Sequence, residues 1–427
     1  MRRPLMALIL SLTPAAALAA PAAEPPRLHY VAGPPVTFAT HAELDGYGFA
    51  FGPSDGTFGA IPLGGGRYRF YGAAGAKPLC TGSRSVVTGT FSFSGTFAHV
   101  SDGGGCRPIF GPGDGPAGWR FARDYAGGGQ VVPFAAGGRS GWLMPFHAEV
   151  WWRNPAALDG QCSVVGGAGS KVRCFYSSIG LAVSTDAGRS FRIAGEILEP
   201  SQPLSAFIGG ERNMTVGYGS LVVADAEGRH LDNPPADPAK AYFYLLFADL
   251  WPGAPGPCAR FICAGLARAP YVALVEAALA GEPHRLARAF RKYDGAMPDP
   301  WTEPATSDTP DLSGTAGHYA PLWSDEPGGG QVLYDRAFDV YLAVYQTGVG
   351  IRLRASRDLI HWSGPLGEPI REPGRTLYYP TLIGETGDPT IAGAAPRLYF
   401  SSFPTGAFPD YKTALFESVE LKLAPEP

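Results

Sequence analysis

The chain carries little charge: Asp, Glu, Lys and Arg make up 17% of its 427 residues, with a formal net charge of −4. No basic run stands out to attract a polyanion, so nucleic acid is not an expected partner. Beyond the N-terminal leader, no apolar run approaches the ~18 residues that a membrane-spanning helix needs. Several common catalytic signatures are missing too. There is no G-x-S-x-G elbow, no H-E-x-x-H, no G-x-x-x-x-G-K and no dinucleotide fingerprint. The six cysteines lack the C-x-x-C spacing of a metal cluster.

What the chain does have is 58 Gly and 42 Pro beside 45% hydrophobic residues and 12% aromatics. That combination argues against disorder and for many short strands joined by tight turns. The N-terminus has the form of a secretory signal, residues 1–19. Arg2 and Arg3 precede an apolar stretch at 5–12, and Ala17-Leu18-Ala19 supplies an A-x-A cleavage site. The mature protein is therefore expected in a periplasm or outside the cell, without a lipid anchor or membrane span and as a monomer. Six cysteines suit that setting as disulfides. Local pairings, Cys80–Cys106, Cys162–Cys174 and Cys258–Cys263, are the economical ones.

One stretch shows the grammar of the whole. In residues 339–370, Tyr341, Ala343 and Tyr345 alternate with Val340, Leu342 and Val344, as in a strand buried on both faces. A glycine-containing break at 347–350 leads to a second strand, 351–356, and then to the turn SRDLIHW. There Asp358 can accept backbone N–H bonds and Trp362 can cover the sheet end. Such a unit cannot bury both faces alone, whereas copies around an axis can. Five segments repeat it, with first strands at 57–63, 127–134, 217–225, 318–325 and 378–385. The expected fold is all-β: a Pro-rich lead over 20–40, then one five-bladed β-propeller over 41–427 with loop and short helical insertions. The helical composition lies at 271–302, in VALVEAALA and HRLARAF, with apolar residues at i, i+3 and i+4. It predicts an amphipathic helix packed outside the propeller.

Two turns carry a resemblance. S-x-D-L-x-x-W, at Ser356, Asp358, Leu359 and Trp362, resembles the outer blade turn of the five-bladed β-propeller glycosidases. These are the arabinanase/β-xylosidase and invertase/fructanase families. STDAGRSF at 184–191 is similar to the Asp box of sialidases and other propellers. The glycosidase resemblance implies hydrolysis of glycosidic bonds by two carboxyl groups, one protonating the leaving oxygen and one acting from the opposite face. By position it implies Asp55 as general base, Asp124 as orienting acid and Glu211 as general acid. The family's D-P and E-x-P signatures are absent around them. It also implies His318, in GHYAP, beside an axial calcium or water; no other cofactor is expected.

A second candidate comes from the residues themselves. His147 and Glu149, in PFHAEVWW, share one face of a strand that runs into Trp151 and Trp152. Tryptophan rings are what sugar faces stack on, and burial beside them would raise the Glu149 pKa toward that of a general acid. Tyr218, His318, Tyr378 and Tyr379 head expected inner strands and can line an axial cavity. Asp249 ends a second strand as Glu149 does and can bind sugar. The sequence thus points to a carbohydrate-active enzyme on oligo- or polysaccharide. A non-catalytic sugar-binding or scaffold propeller is the alternative. A sialidase-like enzyme, which would want an arginine triad and several Asp boxes, ranks third.

Overall fold

The computed structural model describes residues 27–46, 56–73, 86–92, 97–98, 108–152, 174–208, 216–249, 262–295, 297–326, 328–407 and 411–426. Their strands form five sheets, each largely an antiparallel meander. The first sheet contains Gly59–Gly64, Arg67–Ala73, Val86–Ser92 and the short Phe97–Ala98 and Pro108–Phe110. The second runs from Tyr125–Ala126 through Arg139–Trp152 and Cys174–Ser184 to Arg192–Leu198, with Val132–Ala136 also on Arg139–Trp152. The third begins with Gly217–Ala224, Tyr242–Asp249 and Cys263–Pro270. The fourth is Gly330–Asp335, Val340–Thr347 and Gly350–Ser356, with Ile391–Ala392 parallel to the first of these. The fifth is Arg375–Ile383, Arg397–Pro404 and Leu415–Pro425.

Alternation explains how these sheets stack. In Val340–Thr347, Leu342 and Val344 pack with Leu382 and Leu398 of the fifth sheet, while Tyr341, Ala343 and Tyr345 pack with Tyr244 and Leu246 of the third. Both faces are buried, as a period of two with no polar side requires. The same rule places Leu143 and Leu181 against Leu245 and Phe247 between sheets two and three. Ile61 and Tyr71 meet Met144 and Phe146 between sheets one and two. Phe58, Phe70 and Phe91 meet Tyr399 and Phe416 between sheets one and five. The result is mostly β and propeller-like, with four blades recognised where the sequence grammar leads one to expect five. The first sheet is the irregular one, its outer strands Phe97–Ala98 and Pro108–Phe110 being two and three residues long.

The first and last described strands meet in the fifth sheet. Leu28–Ala32 pairs antiparallel with Leu415–Pro425, from Leu28 opposite Pro425 to Ala32 opposite Leu421. Val36–Thr40 pairs with the same strand nearer its start. The stretch expected as a Pro-rich lead therefore supplies two strands, separated at Pro34 and Pro35 where the missing N–H groups interrupt pairing. A second departure concerns the fourth repeat. Residues 318–325, expected to be its inner strand, are irregular. Their backbone is taken up by the third sheet's segments: Ala320 N–H donates to Tyr293 O (2.8 Å) and Leu322 N–H to Ala264 O (3.0 Å). The inner strand is Gly330–Asp335 instead.

Glycine lets the inner strands converge. A Cβ on Gly330 would stand 1.5 Å from Val344 O, and one on Gly129 1.8 Å from Pro145 O. Between sheets, a Cβ on Gly59 would lie 2.3 Å from Gly129 O, and one on Gly329 2.0 Å from the Ala248 Cβ. At this closeness the strands are tied by side chains. Gln130 donates from Nε2 to Val332 O (2.9 Å), while its Oε1 accepts from Leu221 N (2.7 Å) and Ser220 Oγ (3.0 Å). Leu382 N–H donates to Gln331 Oε1, and Phe58 N–H to Thr381 Oγ1 at 3.3 Å.

The helical stretch lies outside the sheets, as expected. Tyr271–Ala280 buries Leu274, Val275, Ala277 and Ala278, and Pro283–Ala287 buries Leu286, in the cluster between sheets two and three. Gly281, left-handed at φ 71°, ends the first helix, its N–H bonding to Ala277 O at 3.1 Å. Among the described residues no helix is long and apolar enough to cross a membrane.

The convergence makes a prediction. Gly330→Ala should abolish soluble folded protein or lower stability by more than about 4 kcal/mol, because the obstructing atom is backbone and cannot yield. Gly348→Ala, with nothing within 4 Å of the new methyl, should leave the thermal melt nearly unchanged. Equal melting of the two variants would refute the role given to the inner glycines.

Candidate active site

Strand Arg139–Trp152 alternates its faces to the end. Phe146, Ala148 and Val150 enter the core between sheets one and two. His147, Glu149 and Trp151 therefore point the other way, together. Glu149 Oε1 lies 2.9 Å from His147 Nε2, and its Oε2 accepts a short hydrogen bond from the Trp151 indole N–H. Indole nitrogen can only donate, so the carboxyl oxygen is the acceptor there. The Tyr125 ring stands edge-on to the imidazole at 5.9 Å. Gly217, which opens the third sheet's inner strand, flanks His147 on that side: a Cβ there would lie 3.6 Å from Nδ1, an ordinary contact distance.

Asp124 joins this group through pairing of Tyr125 with Glu149. Its N–H donates to Glu149 O (3.0 Å), and its Oδ2 accepts from Trp151 N–H (2.7 Å) and Arg123 Nε (2.9 Å). Arg123 also donates to Trp151 O at 3.0 Å. Trp151 thus holds both carboxyl groups, one through its backbone and one through its ring. The side chains of His147 and Glu149 keep 20% and 13% of their exposure and that of Asp124 25%, so the group is sheltered yet reachable. The sequence suggested Trp151 as a stacking platform; its role as a double donor was legible only in the spacing of 147, 149 and 151 along one strand face.

The other candidates scatter. Asp55 and Glu211 lie outside the described residues, as do the side chains of Trp152 and Tyr218. Tyr379 is half-buried on strand Arg375–Ile383, at φ 56°, its N–H donating to Gln346 Oε1 at 3.3 Å. His318 heads no strand; it is exposed, and its N–H donates to Glu303 Oε2 at 3.3 Å. Asp249 ends its strand as expected but is fully buried, so it faces neighbouring protein rather than open space. Among the described residues no group of three or more His, Cys, Asp or Glu side chains is placed to hold a metal. Cys263 is in a disulfide, while Cys80, Cys106, Cys162 and Cys258 lie outside the described residues, as does the side chain of Cys174.

The STDAGRSF turn is closed by its own side chains. Ser184 Oγ lies 2.8 Å from Asp186 Oδ1, and Ser190 donates its backbone N–H (3.0 Å) and its hydroxyl (2.6 Å) to the two Asp186 oxygens. These bonds outweigh the slight burial and hold the Asp186 carboxyl below its usual pKa. In the other turn Asp358 Oδ1 accepts from Ile360 and His361 N–H at 3.0 and 2.8 Å.

Two acidic clusters are not legible as clusters in the sequence because nothing local marks them, although Asp249 of the first is one of its candidates. Glu196, Glu199, Asp249 and Lys292 are all fully buried. Lys292 Nζ donates to Glu199 O (2.7 Å) and Gly317 O (2.9 Å), and burial lowers its pKa to about 8 against the pull of Asp249 and Glu199. Burial, then the neighbouring Glu199, pushes Glu196 well above the carboxylate range. The second cluster joins Glu372, Arg375, Ser402 and Glu417. Burial, with Glu372 beside it, raises the Glu417 carboxyl to about 7.

No family model matches the chain, and no curated protein does. Solved structures similar to it include the catalytic domain of Coprinopsis cinerea GH62 alpha-L-arabinofuranosidase, at 10% identity and TM-score 0.45, over 94% of this chain and 98% of that one. A GH62 hydrolase in complex with xylotriose matches at 11% identity and TM-score 0.44, over 92% and 96%. Zg3597, a family 117 glycoside hydrolase of the marine bacterium Zobellia galactanivorans, matches at 10% identity and TM-score 0.44, over 93% and 91%.

The raised Glu417 has a consequence for stability. Its folded pKa of about 7 exceeds the ordinary 4.5, so the folded state keeps a proton that the unfolded chain releases. Its contribution is complete below pH 4.5 and disappears as pH rises to about 7. Glu417→Gln, always neutral, should gain roughly 2–3 kcal/mol on the parent between pH 4.5 and 7.5. Denaturant unfolding at the two pH values checks this; a constant difference would refute the shift.

Proposed function

We propose that the chain is an exported carbohydrate-active enzyme that hydrolyses glycosidic bonds, built as one closed five-bladed propeller. Five sheets with apolar clusters between successive pairs, and the first and last described strands in the fifth, support the blade count. The Cys263 disulfide supports an oxidising compartment.

The observation that carries the catalytic reading is the His147–Glu149 contact of 2.9 Å, with Asp124 on the paired strand and one tryptophan holding both acids. Glu149 supplies the proton of this reading, with His147 Nε2 within hydrogen-bond reach of its Oε1. Given to the glycosidic oxygen, that proton lets the C–O bond break with the electron pair leaving on the protonated oxygen. Water supplies the hydroxyl to the sugar carbon and its other proton to a base. Asp124, tied to Arg123 and to Trp151, orients. Asp55, the general base that the glycosidase resemblance implies, is the carboxyl group offered for the opposite face, with Glu211 the alternative acid, and Tyr379 offers surface to a sugar. The rival reading, a sugar-binding module, is favoured by one feature: both Glu149 oxygens are already engaged.

Glu149→Gln separates the two. The amide keeps the shape, can accept from Trp151 and can donate to His147, so the melting temperature should stay within about 2 °C of the parent. Turnover of oligosaccharides should fall by at least 10³-fold through loss of proton donation, with binding retained. Full activity in the variant would remove Glu149 from the mechanism. Binding of oligosaccharide by the parent without hydrolysis would establish the module instead.

A further inference from the structure

At the other end of strand Arg139–Trp152 lies a cavity of about 580 Å³ lined by Arg139, Ser140, Ser184, Thr185, Ser190 and Arg192, with Val183, Phe191 and Leu279 as its apolar wall. Ser140 and Glu149 are nine positions apart, roughly 30 Å along an extended strand. The cavity is thus distinct from the group around Glu149, and its binding chemistry is independent of any catalysis there.

Local structure assembles it. Gly137 and Gly138, at φ 59° and 72°, form the two-residue hairpin turn that delivers Arg139 opposite Ala136. Arg192 pairs with Val183 on the neighbouring strand. One end of the Arg192 guanidinium is spent on the last turn of helix Tyr271–Ala280, where Nη2 donates to Ala278 O (2.7 Å) and Leu279 O (3.3 Å). Neither arginine forms an ion pair among the described residues. Arg139 is exposed, and its side chain makes no hydrogen bond there either. Asp186 is the acid nearest in sequence to this rim, and its oxygens are bound by Ser184 and Ser190. Both serines therefore direct their hydroxyl protons to Asp186; Ser184 Oγ also accepts from Asp186 and Gly188 N–H at 3.4 and 3.0 Å, so Ser190 is the one that presents lone pairs. The donors left to a ligand are the two guanidiniums, Ser140 and Thr185.

Two guanidiniums without an ion pair among the described residues, beside a hydroxyl acceptor and an apolar wall, match an acidic sugar: an anionic group for the arginines, a ring hydroxyl for Ser190, a ring face for Leu279 and Phe191. We propose that this cavity is a binding site for a sugar bearing a carboxylate or a sulfate ester. The two chemistries share the negative charge and a pair of terminal oxygens that a guanidinium fork can bind together.

Calorimetric titration of the full chain with glucuronate, glucose 6-sulfate and glucose tests it. At least one of the charged sugars should bind tenfold or more tightly than glucose, and which one does identifies the anion. Binding should weaken as salt is raised. Arg139→Glu should weaken it by at least about tenfold, the effect of losing one charge-assisted contact, while leaving the thermal melt unchanged because the Arg139 side chain has no described partner to lose. Glucose binding as tightly as both acids, no binding of either acid at about 10 mM, or unaltered affinity in Arg139→Glu would each overturn the proposal.

Discussion

The structure depends on how closely its inner strands approach. Where strands from different sheets converge, there is room for backbone and little else, and Gly59, Gly128 and Gly329 occupy those points, while Gly129 and Gly330 lie as close to the next strand of their own sheets. Close approach alone would strand backbone polar groups away from water at a cost of about 1–3 kcal/mol each. Gln130 and Ser220 remove that cost by bonding across sheets two, three and four at 2.7–3.1 Å. Glycine and a few buried polar side chains are therefore a single device: the first allows the contact, the second satisfies it.

Given that centre, the apolar clusters follow from alternation. A strand with large side chains on both faces must be covered twice, and each sheet covers its two neighbours. The same alternation, continued to the last residues of Arg139–Trp152, carries His147, Glu149 and Trp151 out of the core on one face. At the opposite end it sets Arg139 beside Arg192. One strand thus bears an acid–imidazole–indole group at one end and a basic cavity at the other, kept apart by its own length.

Charge inside the structure falls into two kinds. Lys292 is surrounded by carbonyls and carboxyl groups with no exposure, an arrangement that locks the contact between sheets two and three. Buried pairs of this sort give specificity of fit more readily than net stability. The group around Glu149 differs because it retains exposure, which lets a molecule from outside come within hydrogen-bond reach of its carboxyl groups.

How much of this was legible in the sequence depends on the range of the forces involved. Alternation, turn wiring at Asp186 and Asp358, the helix at 271–280 and the shared face of His147 and Glu149 all rest on neighbours within a few residues, and the sequence alone determined them. The inner strand of the fourth repeat was misplaced at 318–325 because that segment's partners, Tyr293 and Ala264, are not local. The lead at 28–40 became sheet because its partner strand ends the chain. Which acids would be buried, such as Asp249 and Glu196, was likewise decided by packing between sheets. Phe58 and Thr381 are bonded across 323 positions. Contacts of that separation leave no periodicity in the chain, so only the tertiary structure could bring them together.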